Sequence, residues 1–521
     1  MVVLTYILAA VVLLGFCIFV HELGHLLGGM MVGIKAKVFS MGYGKGILKK
    51  KIGDTTYQIT PIPFGGYCKF YGEDPEEERV GKEFEFLSAA PWRRIVTVVM
   101  GPIFNLIFGI LIFLMMNLIG YSTETNKVII PAELKKGKSI SAAYKTGIRS
   151  GDRILEINSR KILGFSGIQS KVLFSDGKEL KIKVDRDGKK LDFKVKPKFS
   201  KISGRYNIGV MPYGKRILIA GFSDDNSEAK KAGIKEFDEI KSYDGIAAEN
   251  LSKFIKYINS HSNKKVKVKV VRKGKAIDIT VTPRLKEVVL LKVSSKKGSK
   301  ASELVLHPKL FQNITKDKFI KIDGKLVREY KDLLAVVKGT SNKKIVIEKK
   351  GKVEIRGIAS YDRRGYIGIY PTIAPEMVEV KYGFAGALAQ AFIEPYEFIV
   401  MNIKGMGMLF SGKMNVRENL SGPIRIAKIA GDVAYYKGIS AFIILMAKIS
   451  IILMVMNLLP IPMVDGSHII FFLVEIIRRK PMSQKVMERI QTVGFAILLM
   501  IFAFVIINDI SMLPFVQNLF K

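Results

Sequence analysis

Charge all but disappears from four stretches of the chain: residues 1–33, 95–120, 440–470 and 491–508. Each is long enough to cross a hydrocarbon core about 30 Å thick, which takes roughly 20 helical residues. Four membrane helices are therefore expected. The first has no basic lead-in, runs well past the apolar core of a signal peptide and meets no small-residue cleavage site, so it reads as a retained helix. Residues 390–412 place Phe398, Met401, Ile403, Met406 and Phe410 among polar positions. That pattern fits an amphipathic surface helix, or a globular element packed against the repeats. Lys448 sits inside the third apolar stretch, where it either snorkels or faces the bundle.

Between the second and third spans the pattern changes to short alternating strands, and it repeats. The first copy reads TGIRSGDRILEINSRKI and closes on the strand pair LKIKVDRDGKKLDFKVKP. The second contains AGIKEFDEIKSYDGIAAENLSKFIKYI, and the third KDKFIKIDGKLVREYKDLLAVV. Asn158, Asp244 and Asp323 hold matching places, 86 and then 79 residues apart. Each copy carries a strand ending in a turn, a helical stretch and a hairpin closed on Asp-Gly or Lys-Gly. A period near 80 is too long for solenoid units and indicates tandem small domains.

Composition adds charge to this picture. The 521 residues carry a formal net charge of +37, and residues 121–372 hold 58 Lys and Arg against 27 acids. The lysines follow strand patterns and do not cluster in arms, so they read as a solvated surface, with no nucleic-acid partner expected. The short loops set orientation. Lys35, Lys37, Lys45, Lys49, Lys50 and Lys51 precede the second span, and Arg478, Arg479, Lys480 and Lys485 precede the fourth. Both loops belong on the cytoplasmic side, which puts the long middle region and both chain ends outside. Cys17 and Cys68 lie in different settings and make no disulfide framework.

The chemistry concentrates at two places. His21-Glu-Leu-Gly-His25 puts two imidazoles on one helix face, where they can grip one metal ion. Glu22 beside them can take the proton from an attacking water. A catalytic zinc site needs a third protein ligand. Asn457-Leu-Leu-Pro-Ile-Pro-Met-Val-Asp465-Gly-Ser breaks an apolar run with two prolines and a glycine, and Asp465 there would be an uncompensated charge without a cation. Capping of the following helix is the alternative role for Asp465. Residues 35–72 read as a membrane-associated β-hairpin around a basic turn, with an edge that can pair with an unwound substrate or simply close off the site.

These motifs together resemble the site-2 protease family of intramembrane zinc metalloproteases, most like the bacterial regulator of sigma-E proteases. The resemblance spans nearly the whole chain. It includes Gly42-Tyr-Gly44, Pro61-Ile-Pro-Phe-Gly65-Gly66-Tyr, Gly101-Pro102-Ile-Phe-Asn105 and Asn419-Leu-Ser-Gly-Pro423. It implies that His21, His25 and Asp465 bind Zn2+, that Glu22 is the general base, and that Asn457, Gly65 and Gly66 hold the substrate backbone. It further implies a multi-pass protein of the bacterial inner membrane, with its active site toward the cytoplasm. Its partners would be the lipid bilayer and single-span substrates such as anti-sigma factors or remnant signal peptides. The copies in the middle resemble PDZ domains, which hold extended chain ends or, in such proteases, exclude bulky substrates. Two departures stand out: Ser467 replaces a usual glycine after Asp465-Gly466, and three PDZ-like copies stand where two are usual.

The expected fold is thus a multi-pass α-helical membrane protein with inserted tandem PDZ-like β-rich extracytoplasmic domains. The expected boundaries are 1–33 (first helix), 34–94 (hairpin and cytoplasmic loop), 95–120 (second helix), 121–213, 214–285 and 286–372 (PDZ-like copies). They continue with 373–438 (amphipathic linker), 439–470 (third helix and Asp465 segment) and 471–521 (cytoplasmic link and fourth helix). The alternative functions are a catalytically silent PDZ-bearing membrane scaffold and a metal transporter.

Overall fold

The computed structural model describes residues 2–74, 80–130, 141–200, 205–223, 226–272, 274–294, 302–306, 311, 319–323, 325–338, 343–349, 352–412, 422–480 and 482–511. It divides into two compact units, one built mainly from residues 1–122 and 379–521, the other from 123–199 and 206–378.

The first unit is helical. Its helices are α1 (Val2–Met31), α2 (Pro91–Ile119), α3 (Phe384–Phe410), α4 (Pro423–Asp432), α5 (Ile439–Asn457), α6 (Asp465–Arg478) and α7 (Gln484–Ser511). Four of them, α1, α2, α5 and α7, are long and apolar enough to cross a membrane among the described residues. Helix α2 starts four residues before the charge-free run because Pro91 suits the first helical turn, where no N–H is needed. Small residues set the α1–α2 distance. A Cβ on Gly24 would lie 2.3 Å from the Met100 carbonyl oxygen, and one on Gly28 would lie 2.7 Å from the Met100 side chain. Close approach of this kind is how apolar helices associate where lipid offers no hydrophobic drive.

Helix α3 packs its Ala391, Phe398 and Ile399 with Ile112 and Phe113 of α2 and Ala447 of α5. Lys448 does not snorkel away from the helices, since its ammonium lies 5.9 Å from the Phe398 ring centre. At the start of α4 the Asp509 carboxylate of α7 accepts the N–H groups of Gly422 (3.1 Å) and Arg425 (3.0 Å), satisfying donors a helix start leaves open. In the Asn419–Pro423 motif, residues 419–421 lie outside the described residues, as does the side chain of Phe410.

The stretch expected to be a hairpin holds one inside a larger sheet. Strands β1 (Ala36–Tyr43), β2 (Leu48–Ile52), β3 (Thr55–Ile59) and β4 (Ile62–Phe70) form a sheet in the order β2-β3-β1-β4. The hairpin β2–β3 carries the basic residues, β1 and β3 run parallel, and β4 is an edge. Phe39 and Phe70 of this sheet share a core with Leu26 of α1, Val98 of α2 and Phe472 of α6.

The second unit has three apolar cores. The first gathers Ile154, Ile157, Ile168, Ile182 and Val184; the second Ile217, Ile240, Phe254, Val268 and Val270; the third Val289, Ile320, Leu333, Ile345 and Ile347. The three aligned positions play one role. Asn158, Asp244 and Asp323 all have positive φ, and their side-chain oxygens accept the N–H of Lys181, Lys267 and Lys344. A second constellation recurs in the first two copies. Arg186 pairs with Asp152 and donates to the Gly147 carbonyl, as Arg272 does with Asp238 and Gly233. Of the Lys-Gly turns expected to close the second and third hairpins, residues 273, 350 and 351 lie outside the described residues. After the third copy, strand Ile369–Ala374 returns to pair with Arg216–Phe222 of the second, so the third core is inserted within the second sheet.

Candidate metal centre

Position 21 and position 25 are one turn apart on α1, so both imidazoles leave the same face. That face meets α2 at Gly101, where a Cβ would stand 2.4 Å from His25 Cε1 and 3.0 Å from His21 Cε1. The glycine lets the two rings lie directly on the helix. Thr97, one turn earlier on α2, turns its backbone carbonyl to the second ring: His25 Nδ1 lies 3.0 Å from it. A carbonyl only accepts, so Nδ1 carries the proton and Nε2 is left with a free lone pair.

The third group arrives from more than four hundred residues away. Helix α5 ends at Asn457, the chain breaks through Pro460 and Pro462, and α6 starts at Asp465. Met463 takes a left-handed φ of 77°, an uncommon conformation for a residue with a side chain. Gly466 is required by contact, since a Cβ there would stand 2.1 Å from the Leu459 carbonyl oxygen. Asp465 is not the cap of α6: the capping position is Val464, and no side-chain cap bond forms. Ser467, the departure from the usual glycine, folds its hydroxyl back onto the Val464 carbonyl at 2.8 Å and leaves the centre unobstructed.

These elements bring three donor atoms together. Nε2 of His21 lies 3.1 Å from Nε2 of His25 and 3.1 Å from Oδ2 of Asp465, and His25 Nε2 lies 3.5 Å from the same oxygen. At zinc–ligand distances near 2.0–2.1 Å, the edge of a tetrahedron is about 3.3 Å. Asp465 Oδ2 is buried, and among the described residues no hydrogen-bond donor is aligned on it. A buried carboxylate oxygen that meets two imidazole nitrogens at these distances suits a cation shared by all three groups. Among the described residues, His21, His25 and Asp465 form a group able to hold a metal ion.

The remaining expected residues lie around this triangle. Nδ2 of Asn457 is 3.1 Å from His21 Nε2. Gly66 sits on β4 opposite Met41 of β1, and a Cβ there would be 3.4 Å from Cγ of Glu22. The Cys68 backbone amide hydrogen-bonds to Glu22. Gly65 faces elsewhere: its φ is 114°, and an added Cβ would strike the Tyr43 ring at 2.3 Å. Beside the sheet, Phe19, Phe39, Met41, Tyr57 and Ile59 line a cavity of 480 Å³. Glu73, beyond β4, accepts the Phe70 N–H at 2.7 Å, and desolvation pushes its carboxyl above the usual range. Sequence reasoning did not single out Thr97, whose backbone carbonyl leaves no trace in residue identity, nor Asn105, visible only as part of a motif.

A HExxH pair on a membrane-length helix, completed by a distant aspartate, defines the class as a membrane metallopeptidase. The chain belongs to peptidase family M50, whose sequence model matches residues 9–501, and it is a zinc metalloprotease. It is 25% identical to the "Putative zinc metalloprotease" of Treponema pallidum, over 97% of this chain and 99% of that protein. It is 27% identical to a protein of the same name from Vibrio cholerae, over 97% and 98%. It is 25% identical to the regulator of sigma-E protease RseP of Salmonella typhimurium, again over 97% and 98%.

Proposed function

We propose that His21, His25 and Asp465 hold the zinc, that Glu22 is the general base, and that the protein hydrolyses peptide bonds in or beside membrane-spanning segments of other proteins. The observation that carries this reading is the triangle of three donor atoms at tetrahedral spacing, formed between membrane-length α1 and the first residue of α6. Zinc, when bound, supplies Lewis-acid polarisation of a carbonyl and lowers the pKa of water. Glu22 takes the proton of the attacking water as its oxygen bonds to the scissile carbon. The same carboxyl then gives that proton to the leaving nitrogen as the C–N bond breaks. Asn457, beside His21, supplies an amide donor to the substrate carbonyl.

A peptide bond within a helix is shielded by its own hydrogen bonds, so a substrate must be unwound first. Edge strand β4 offers unpaired backbone groups next to Glu22 for such a segment. At Gly66 the absence of a side chain leaves room for Glu22 against the strand, while Gly65, within β4 at a φ of 114°, lets the Tyr43 ring lie on the backbone. The 480 Å³ cavity beside α1 and β1, lined mainly by apolar side chains together with Lys49, Lys50 and Gln58, suits a large apolar side chain of that strand. Single-span proteins fit this arrangement best, with anti-sigma factors or remnant signal peptides as the classes suggested by the RseP-like relatives. The three cores of the second unit are read as PDZ-like domains on the extracytoplasmic side of a bacterial inner membrane. There they filter substrates by size or hold exposed chain ends, and the zinc site opens toward the cytoplasm.

Glu22→Gln tests the reading. Purified protein carrying it is expected to keep its zinc and to lose cleavage of a single-span substrate by about 10²–10⁴-fold. Cleavage within a few-fold of wild type would remove Glu22 from the mechanism.

A further inference from the structure

Asn105 is fully buried on α2, and its amide nitrogen Nδ2 is placed 3.2 Å from Nδ1 of His21, with Oδ1 turned toward Ser450. Ser450 of α5, also fully buried, places Oγ 3.0 Å from the backbone carbonyl of Asn105 and 3.0 Å from the far end of the same amide. The two ends of an amide have the same shape and opposite hydrogen-bonding character. If the NH2 end faces His21, Nδ1 accepts, and the ring's proton sits on Nε2, pointing into the metal triangle. If the carbonyl end faces His21, Nδ1–H donates to it, the NH2 donates to Ser450 Oγ, and the Ser450 hydroxyl donates to the Asn105 backbone carbonyl. Only the second arrangement leaves the Nε2 lone pair free for a cation.

We propose that Asn105, oriented by Ser450, is the positioning residue that fixes the His21 tautomer, as the Thr97 carbonyl does for His25. The spacing on α2 supports a common device. Thr97, Gly101 and Asn105 are each four residues apart, so they line one face: a carbonyl for His25, a gap for both rings, and a side-chain amide against His21. An acceptor behind a ligating imidazole both orients the ring and raises its basicity. This role rests on His21 being a zinc ligand.

The test is zinc affinity of the full-length protein in detergent, measured by chelator competition for Asn105→Leu, Asn105→Asp, Ser450→Ala and His21→Ala. Leucine keeps the size and removes the acceptor, and about a 10–100-fold loss of affinity is expected. Aspartate keeps an acceptor oxygen and is expected to stay near wild type, and Ser450→Ala to fall between. Nitrogen-15 NMR of histidine-labelled, metal-free protein supplies an independent readout. His21 is expected as the Nδ1–H tautomer in wild type and Asn105→Asp, and as a mixture in Asn105→Leu. Unchanged affinity and tautomer in Asn105→Leu overturn the proposal, and so does failure of Asn105→Asp to restore them. Should the leucine variant not fold, Ser450→Ala decides, with wild-type affinity and tautomer overturning it. Full zinc retention in His21→Ala would instead sink the ligand assignment itself.

Discussion

An alanine at position 101 would place a methyl carbon 2.4 Å from Cε1 and 2.5 Å from Nε2 of His25. The ring has little room to retreat, because its Nδ1 is tied to the Thr97 carbonyl. Overpacking at such a contact costs about 1–3 kcal/mol, so Gly101→Ala is expected to lower both zinc affinity and cleavage by roughly tenfold or more. Chelator competition and a cleavage assay check this, and wild-type values in both would contradict the packing described. At this scale the sequence was most legible where chemistry constrains residue type. His21, Glu22 and His25 announce themselves by spacing, and Asp465 by being an acid in a broken apolar run. Thr97 contributes a backbone atom and Gly101 an absence, and neither role can be read from a residue letter without knowing which helices touch.

Among the elements, the buried ion pairs of the repeats carry the sharpest expectation. Asp238 is fully buried, accepts the Lys235 N–H at 2.8 Å and is gripped by Arg272 through two bonds of 2.8 and 2.7 Å. Removing Asp238 leaves the Lys235 N–H without its acceptor and Arg272, which is partly exposed, without its partner, a loss of about 1–3 kcal/mol. Asp238→Ala is therefore expected to raise hydrogen exchange and proteolysis throughout the second core while zinc content is unchanged. Protection equal to wild type would contradict this. The repeats were legible because the turn chemistry recurs: a left-handed Asn or Asp whose oxygen caps a strand 21–23 residues later. The sheet of residues 36–70 was only half legible. Its hairpin is local, whereas the parallel pairing of β1 with β3 joins strands that are not adjacent in sequence. The return of Ile369–Ala374 to the second sheet is hidden for the same reason, since pairing across an inserted domain leaves no periodicity to read.

On the scale of the whole molecule, the four membrane-length helices were the easiest feature to foresee, because a hydrocarbon core sets a minimum apolar length. What length alone does not supply is the order of packing. Helix α1 meets α2 through glycines, α2 meets α5 where Gly109 lies against Ile451, and α6 is tied to α2 by the 2.7 Å bridge between Arg94 and Glu475. Those three contacts bring residues 21, 25 and 465 to one point. The most direct measurement is therefore zinc content of purified full-length protein, comparing wild type with His21→Ala and Asp465→Ala. One zinc per chain is expected in wild type and almost none in either variant. Stoichiometric zinc in both variants would contradict the account.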